Sequence, residues 1–276
     1  MQSQYGNVVL ISGASSGIGE ALAESLAGKG LRVYGTSRQV EAEETIIAEN
    51  EAGGFFKLIQ LDVRSDESVG NAVEYVVNKE GQINILVNNA GYGISGPIEE
   101  TSIQEAISQL DTNFFGMHRM LTNVLPIMRR QNNGLIINMG SVAGLVSLPY
   151  QSMYCASKYA VEAMTEALRM EVKDFGIRVS LVEPGDTKTG FPVNRYFCDA
   201  SKESAYRSSQ KSVEKMMEDE LHGPGPEGVV KTVEQIIKRK NPPVRVTVGL
   251  SYKLLVFLKR FLPSRLVVYI VSRLYA

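Results

Sequence analysis

The sequence predicts an α/β fold, a doubly wound parallel sheet of seven strands with helices on both faces. Three observations predict it: short apolar runs alternate with amphipathic segments, a glycine-rich loop follows the first run, and 44% of the 276 residues are hydrophobic. Parallel strands need crossover connections, which helices on both faces supply. A chain of this length and composition can also bury a sizeable core.

The first unit of the alternation reads strand, loop, helix. Val8–Ile11 is a β-branched apolar run of the kind found in buried parallel strands, and a glycine-rich loop at residues 13–19 follows it. Ile18, Leu22 and Leu26 then recur as one apolar face of a helix. We therefore expect a first strand that leads directly into a helix through the glycine loop.

Six further apolar runs predict the remaining strands, at residues 31–36, 56–63, 83–88, 134–139, 177–182 and 244–248. No solenoid-type repeat or low-complexity linker interrupts the alternation, so we expect one Rossmann-like domain over residues 1–276, with a core of about 7–249. A polar stretch at about 190–225 follows the sixth strand. Because ligands bind at the carboxyl ends of parallel strands, we expect this stretch to be a substrate lid; the alternative is an inert surface insertion.

Composition indicates which partners and which cellular compartment to expect for this protein. The formal net charge is -1, from 29 basic and 30 acidic residues, which argues against a nucleic-acid partner. Two cysteines, Cys155 and Cys198, form no disulfide framework, and the N-terminus lacks a signal-peptide pattern. We expect a cytoplasmic protein. The two histidines form no cluster with cysteines or carboxylates in the sequence, so we expect no metal.

The tail at residues 250–276 is apolar and carries five basic and no acidic residues. Its uncharged runs are too short to span a bilayer, and Pro263 divides them. Basic apolar segments of this kind can lie on an anionic membrane surface, so we expect peripheral membrane contact. The alternative is that the tail packs on the body of the protein or on a partner subunit.

The glycine loop predicts a dinucleotide site. Gly13, Gly17 and Gly19 lie between a strand and a helix, where backbone amides and the helix terminus can approach a pyrophosphate. A tight turn without a ligand is the alternative. At the end of the second strand, Thr36-Ser37-Arg38 has arginine and no acidic residue, which favours NADP(H) over NAD(H), unless Arg38 is only a solvated surface charge.

Tyr154 and Lys158 stand four residues apart, on one face of a predicted helix. A tyrosine with a pKa near 10 needs a downward shift of about 3 units to act as a base at neutral pH, or about 4 kcal/mol. An ammonium about 4 Å away supplies roughly 4 kcal/mol at an effective dielectric of about 20. The pair can therefore serve as an acid/base unit, although this spacing also arises by chance.

Several motifs then follow one another in a fixed order. They are the glycine loop with Ser12 before it, Asn-Asn-Ala-Gly at 88–91, Asn113, Ser141, Tyr154 with Lys158, and Pro-Gly-Asp-Thr-Lys-Thr at 184–189. This order resembles that of the classical short-chain dehydrogenase/reductases (SDRs), with Ser12 in place of the usual threonine. Local similarity is greatest to the hydroxysteroid and retinol dehydrogenase branches.

The resemblance implies a role for each catalytic residue, although Ser141 or Asn113 taken alone would fit a turn or a helix cap equally well. Tyr154 would exchange a proton with the substrate oxygen while hydride passes to or from the nicotinamide. Ser141 would hydrogen-bond that oxygen, Lys158 would lower the pKa of Tyr154 and bind the nicotinamide ribose, and Asn113 would hold a relay water. Cys155 lacks a base that would make it a nucleophile.

The resemblance also implies a set of cofactor-binding residues. They are Gly13, Ser15, Ser16, Gly17, Ile18, Gly19, Ser37, Arg38, Asp62, Val63, Asn89, Ala90, Gly91, Tyr154, Lys158, Pro184, Gly185, Thr187 and Thr189.

The function that these patterns predict is an NADP(H)-dependent oxidoreductase that interconverts a secondary alcohol and a ketone or aldehyde. We expect a bulky apolar substrate, such as a steroid or retinoid, and a homodimer or homotetramer. The alternatives are a reductase of 3-oxoacyl thioesters or of sugars and polyols, and a scaffold that senses NADP without catalysis.

Overall fold

The computed structural model describes residues 3–40, 44–49, 51, 53–190, 195–200 and 204–275. Its strands, in chain order, are β1 (Val8–Ile11), β2 (Arg32–Ser37), β3 (Glu44–Glu49), β4 (Phe55–Gln60), β5 (Ile85–Asn88), β6 (Ile94–Ser95), β7 (Gly134–Met139), β8 (Ile177–Glu183), β9 (Tyr196–Phe197) and β10 (Arg245–Thr247). Its α-helices are α1 (Gly17–Gly28), α2 (Asp66–Glu80), α3 (Ile103–Leu110), α4 (Gly116–Gln131), α5 (Ser152–Glu171), α6 (Ser209–His222), α7 (Glu227–Ile237), α8 (Leu250–Lys259) and α9 (Ser264–Tyr275).

The central sheet has the order β10-β8-β7-β5-β1-β2-β4-β3, and all neighbours except β3 and β4 are parallel. Each of the seven predicted strands is present, with ends that differ by at most three residues. The strand order reverses on the two sides of β1. A crevice therefore opens at the carboxyl end of β1, the position where doubly wound sheets bind nucleotides.

The predicted count of seven strands is wrong by one, because β3 adds an eighth, antiparallel edge strand to β4. Its apolar residues Ile46 and Ile47 are both exposed, and a bulge separates Ile46 from Ala48. An edge strand pairs on one side only and need not carry the continuous apolar run of a buried parallel strand. The pattern used for the other seven strands therefore does not detect it.

Helices cover both faces of the sheet, as the doubly wound prediction requires. One apolar core joins the sheet to buried side chains of α2, α4 and α5, including Val76, Val124 and Leu168. The other joins it to α1 and α7, including Leu22 and Val233. Because both faces are covered, the strand interiors are almost wholly buried, and only their carboxyl ends remain open to ligands.

The predicted lid and tail both reach the carboxyl end of the sheet. Residues 191–194 and 201–203 of the lid, and residue 276 of the tail, lie outside the described residues. The described lid contains β9, which pairs with β6, and α6. The tail folds into α8 and α9, and none of the described helices is long and apolar enough to cross a bilayer.

Candidate active site

A cavity of about 790 Å³ lies at the carboxyl ends of the parallel strands. All but two of the predicted site residues line it. The exceptions are Gly19 and Asn113, which lie behind the cavity wall and support it. Residues from seven separate segments therefore meet at one site, since six of these segments follow parallel strands that all end at the same edge of the sheet.

The glycine loop has a backbone that only glycine adopts easily. Gly13 has φ +66° and Gly17 has φ +61°, both in the left-handed region. At Gly19 an added Cβ would overlap the carbonyl oxygen of Gly13 and lie 2.6 Å from Asn89 Nδ2. The loop can therefore bring backbone amides close to a bound phosphate. Gly19 has no Cβ, so the start of the helix can pack directly against Gly13.

Ser12 ties the glycine loop to the Asn-Asn-Ala-Gly motif. Its Oγ accepts hydrogen bonds from the backbone amides of Asn89 at 3.0 Å and Ala90 at 3.1 Å. Asn89 Nδ2 donates in turn to the carbonyl oxygens of Ser12 at 3.1 Å and Gly13 at 2.7 Å. A hydroxyl at position 12 is thus what the structure needs, and serine supplies it as well as threonine would.

The far end of the cavity is lined by Ser37, Arg38, Asp62, Val63 and Arg64. Arg64 Nη2 lies 2.8 Å from Asp62 Oδ2. The hydrogen bond from Arg64 lowers the pKa of Asp62, and the positive charge of Arg38 acts in the same direction. Arg38 and Arg64 together make this end of the cavity cationic. Arg64 is not among the predicted site residues, although a basic residue directly after Asp62-Val63 is a signal visible in the sequence.

Ser141, Tyr154 and Lys158 meet at the inner wall of the cavity. Ser141 follows β7, and its Oγ accepts a hydrogen bond from the amide of Ala143 at 3.1 Å. Tyr154 lies in the first turn of α5 and hydrogen-bonds Ser141. Lys158, one turn later, donates from Nζ to the carbonyl oxygen of Met139 at 2.9 Å, and its Nζ lies 5.8 Å from the centre of the Tyr154 ring.

Asn113 lies behind this wall, in a π-helical turn (Asp111–Phe115) between α3 and α4. Its Oδ1 accepts from the amide of Tyr92 at 3.1 Å, and its Nδ2 donates to the carbonyl oxygen of Tyr92 at 3.0 Å and to Ser157 Oγ at 3.1 Å. Asn113 thus holds the backbone of Tyr92, which lines the cavity, against helix α5. Single-turn π segments of this kind are frequent at functional sites.

Burial sets the protonation of the tyrosine and lysine. It raises the pKa of Tyr154, the hydrogen bond with Ser141 lowers it, and the nearby Glu220 carboxylate raises it further. The net direction is opposite to the lowering by Lys158 that the sequence suggests, because desolvation of the phenolate outweighs the other effects. Burial also lowers the pKa of Lys158 to about 8, which the Glu162 carboxylate partly opposes.

The segment after β8 closes the cavity above the tyrosine. Pro184, Gly185, Thr187 and Thr189 line it, and Thr187 Oγ1 donates to the carbonyl oxygen of Gly185 at 3.0 Å. An added Cβ at Gly185 would overlap the ring of Tyr252 from the tail. The segment that the sequence assigns to the nicotinamide end therefore packs directly against the C-terminal tail.

Side chains of the lid and the tail complete the cavity wall, and none of them is among the predicted site residues. They are Tyr196, Glu220, Tyr252, Leu255, Val271, Leu274 and Tyr275. Arg195 Nη2 donates to Glu220 Oε1 at 2.6 Å, and Tyr275 OH donates to Asp219 at 3.3 Å. These contacts join residues distant in sequence, so no local motif marks them.

The comparisons with known proteins agree with this geometry. The family model of the short chain dehydrogenases matches residues 7–196. The chain is a short-chain dehydrogenase/reductase. Among the described residues of this SDR, no three His, Cys, Asp or Glu side chains are grouped so that they could hold a metal ion.

Two curated relatives align over nearly the whole SDR chain. A 3-ketodihydrosphingosine reductase of Bacteroides thetaiotaomicron is 39% identical over 98% of both chains. The human retinol dehydrogenase 8 is 36% identical over 91% of this chain and 84% of its own. The similarity to retinol dehydrogenase confirms the branch that local sequence similarity indicates.

Solved structures share the fold and hold nicotinamide cofactors. An SDR from Burkholderia phymatum in complex with NAD has a TM-score of 0.79, 26% identity and 95% coverage of both chains. ElxO with NADP bound has a TM-score of 0.72 and 26% identity, covering 89% of this chain and 98% of its own. A nicotinamide cofactor is therefore supported for this chain.

Proposed function

We propose that this SDR is an NADP(H)-dependent reductase of a bulky, apolar ketone. One observation carries the proposal: Ser141, Tyr154 and Lys158 meet on the inner wall of a cavity that extends without interruption to the glycine loop. A carbonyl placed against Tyr154 would thus share one cavity with the dinucleotide site. This juxtaposition is what a hydride transfer coupled to a proton transfer requires.

The raised pKa of Tyr154 suits this residue to donate a proton when a carbonyl is reduced. A buried phenol that remains protonated at neutral pH is a proton donor, and the alkoxide that forms when a carbonyl accepts hydride needs one. The reduced nicotinamide, when bound, supplies that hydride. Tyr154 gives its proton to the alkoxide oxygen, Ser141 donates a hydrogen bond to the same oxygen, and Lys158, with its pKa of about 8, can return a proton to the tyrosinate.

The cavity suits a dinucleotide, and its cationic end favours a 2′-phosphate. Residues 13–19 offer backbone amides without Cβ atoms in the way, and Asn89 to Gly91 and residues 184–189 would hold the rest of the molecule. Arg38 and Arg64 line the end expected to hold the adenosine, and neither Asp nor Glu ends β2. Guanidinium groups bind phosphate through charge-assisted hydrogen bonds, so we propose NADP(H) over NAD(H).

The part of the cavity wall that the tail forms favours an apolar substrate. Leu255, Val271 and Leu274 contribute aliphatic surface to the cavity. The Bacteroides relative is named for 3-ketodihydrosphingosine, a ketone on a long alkyl chain, and the human relative for retinol. We therefore place long-chain ketones first among the candidate substrates, retinoids and steroids second, and sugars last. A sugar would bury hydroxyl groups against aliphatic side chains that offer them no hydrogen bond, which costs free energy.

The test is Tyr154→Phe, with Tyr159→Phe as a matched control on the same helix. Tyr159 lies outside the cavity lining and is 40% exposed. A panel of ketones is assayed with NADPH and NADH, and cofactor binding is followed by fluorescence. We expect Tyr154→Phe to lower kcat by about 10²–10⁴-fold while NADPH still binds, and Tyr159→Phe to leave kcat unchanged.

Wild-type turnover by Tyr154→Phe would refute the assigned proton donor. NADPH binding without turnover of any ketone in the panel would favour the non-catalytic scaffold.

A further inference from the structure

The tail at 250–275 presents an apolar surface that the rest of the described chain does not cover. No residue of α8 or α9 is buried. We define the tail surface by its exposed large apolar side chains, which are Leu250, Leu254, Leu255, Phe257, Leu258, Phe261, Leu266, Val268, Tyr269, Ile270 and Leu274. Single exposed apolar residues are ordinary, but a contiguous set of this size marks an interaction site.

The tail is held on the protein by its other side. Lys215 Nζ donates to the carbonyl oxygen of Leu274 at 2.9 Å, and Ser212 Oγ donates to the carbonyl oxygen of Tyr275. Lys259 Nζ donates to the carbonyl oxygen of Leu145, beside the start of α5. Tyr252 donates to Asp186. These contacts therefore hold the helices against the body, while the side chains of the tail surface remain exposed.

The charges of the tail distinguish two candidate occupants of the tail surface, a second copy of this chain and a lipid bilayer. Its charged residues are Lys253, Lys259, Arg260, Arg265 and Arg273, all basic. If a second copy of this chain covered the tail surface through a two-fold axis, the same basic residues would face one another, and like charges across an interface oppose association. An anionic bilayer offers the opposite charge together with an apolar interior.

We propose that the tail surface docks on an anionic lipid bilayer. The two helices have 10 and 12 residues and are joined at Pro263, so each is about half the length of a membrane-spanning helix and would lie in the plane of the interface. The aromatic and aliphatic side chains enter the headgroup boundary, and Lys253 and the three arginines contact lipid phosphates.

Docking would bring the cavity to the lipid surface. Leu255 and Leu274 belong both to the tail surface and to the cavity lining, so they form a continuous apolar path between the bilayer and the site. An apolar ketone dissolved in the bilayer could reach Tyr154 along this path without crossing water. This consequence rests on the proposed function, whereas docking itself does not.

The experiment is flotation of the full chain with vesicles of pure phosphatidylcholine and with vesicles containing phosphatidylglycerol. We expect binding to the anionic vesicles, weakened when NaCl rises from about 0.05 M to about 0.5 M, because the Debye length then shortens. Arg260→Gln/Arg265→Gln should bind about 30-fold more weakly, and Phe257→Ser/Phe261→Ser at least about 10-fold more weakly.

Matched controls are Arg130→Gln and Met170→Ser, exposed residues of α4 and α5 outside the tail, which should float like the unmodified protein. Absence of the unmodified protein from anionic vesicles, or equal binding by tail and control variants, would overturn the proposal. So would a dimer, seen by light scattering, that Phe257→Ser/Phe261→Ser converts to a monomer, since the tail surface would then be a subunit interface.

Turnover of a water-soluble ketone separates the two proposals. None of the four substituted tail residues lines the cavity, so turnover in solution should be the same for every variant. If a tail variant loses vesicle binding but keeps normal turnover, the substitution has weakened docking and has not affected catalysis. Vesicle binding without any turnover would count against the proposed reductase and leave docking intact.

Discussion

Replacing Lys158 with methionine should stabilise this protein at neutral pH while it abolishes activity. Lys158 is only 8% exposed, and burial lowers its pKa from the ordinary 10.5 to about 8. A shift of that size corresponds to about 3 kcal/mol of cost for holding the charged form in the folded state. Methionine has a similar length and no charge, but it leaves the Met139 carbonyl without its hydrogen bond, a loss of about 1 kcal/mol.

The net expectation for Lys158→Met at pH 7 is therefore a free energy of unfolding higher by about 2 kcal/mol. The pKa of this lysine is lower in the folded than in the unfolded chain, so between pH 8 and 10.5 the unfolded state binds the extra proton and wild-type stability rises with pH. The advantage of the variant should shrink across this window and be near zero at about pH 9.5.

Urea unfolding followed by circular dichroism at pH 7 and at pH 9.5 measures both quantities. Lys173→Met, at an exposed position after α5, is the control and should change the free energy of unfolding by less than about 0.5 kcal/mol. A Lys158→Met variant that is less stable than wild type at pH 7, by an amount that does not vary with pH, would refute the burial argument.

Two further predictions concern the cationic end of the cavity and the buried carboxylates near α5. Arg38→Asp should raise KM for NADPH about 10–100-fold and improve the use of NADH, and an unchanged ratio of kcat/KM for the two cofactors would contradict the proposed preference. Arg245 Nη1 lies 3.2 Å from Glu162 and 3.6 Å from Glu183, two buried carboxylates. Burial, followed by the neighbouring Glu183, raises the pKa of Glu162 to about 8, so the Glu162 carboxyl is ionised at pH 9 and protonated at pH 6. Arg245→Met should therefore lower the free energy of unfolding by about 3 kcal/mol at pH 9, where it leaves a buried charge unpaired, and by less at pH 6. Equal losses at both pH values, or an equal loss in the control Arg130→Met, would contradict this.

The sheet illustrates which elements a sequence pattern can predict. Strands β1, β5 and β7 are buried along their whole length, and each carries a nearly continuous apolar run that is legible without the structure. Strand β3 pairs only with β4, and its Ile46 and Ile47 point to open surface. Its existence depends on the neighbouring strand, which is a tertiary contact, and so an apolar pattern in the sequence does not reveal it.

The site shows the same division between local and distant signals. Gly13 and Gly17 adopt positive φ, a local requirement that their residue type reveals. Glu220, Tyr252 and Leu274 reach the cavity from helices more than 60 residues after Tyr154 in the chain. No spacing rule relates such positions, because the path of the lid and tail across the strand ends brings them together.

The sequence by itself determined the seven parallel strands, the glycine loop and the order of polar residues that identifies the family, because each is a local pattern of residue type and spacing. Only the tertiary structure decided the eighth strand, the tail that closes the cavity and the protonation of Tyr154. Spacing alone places a lysine near this tyrosine and suggests a lowered pKa. Burial of the phenol reverses that direction, since the energy of a charge depends on everything that surrounds it.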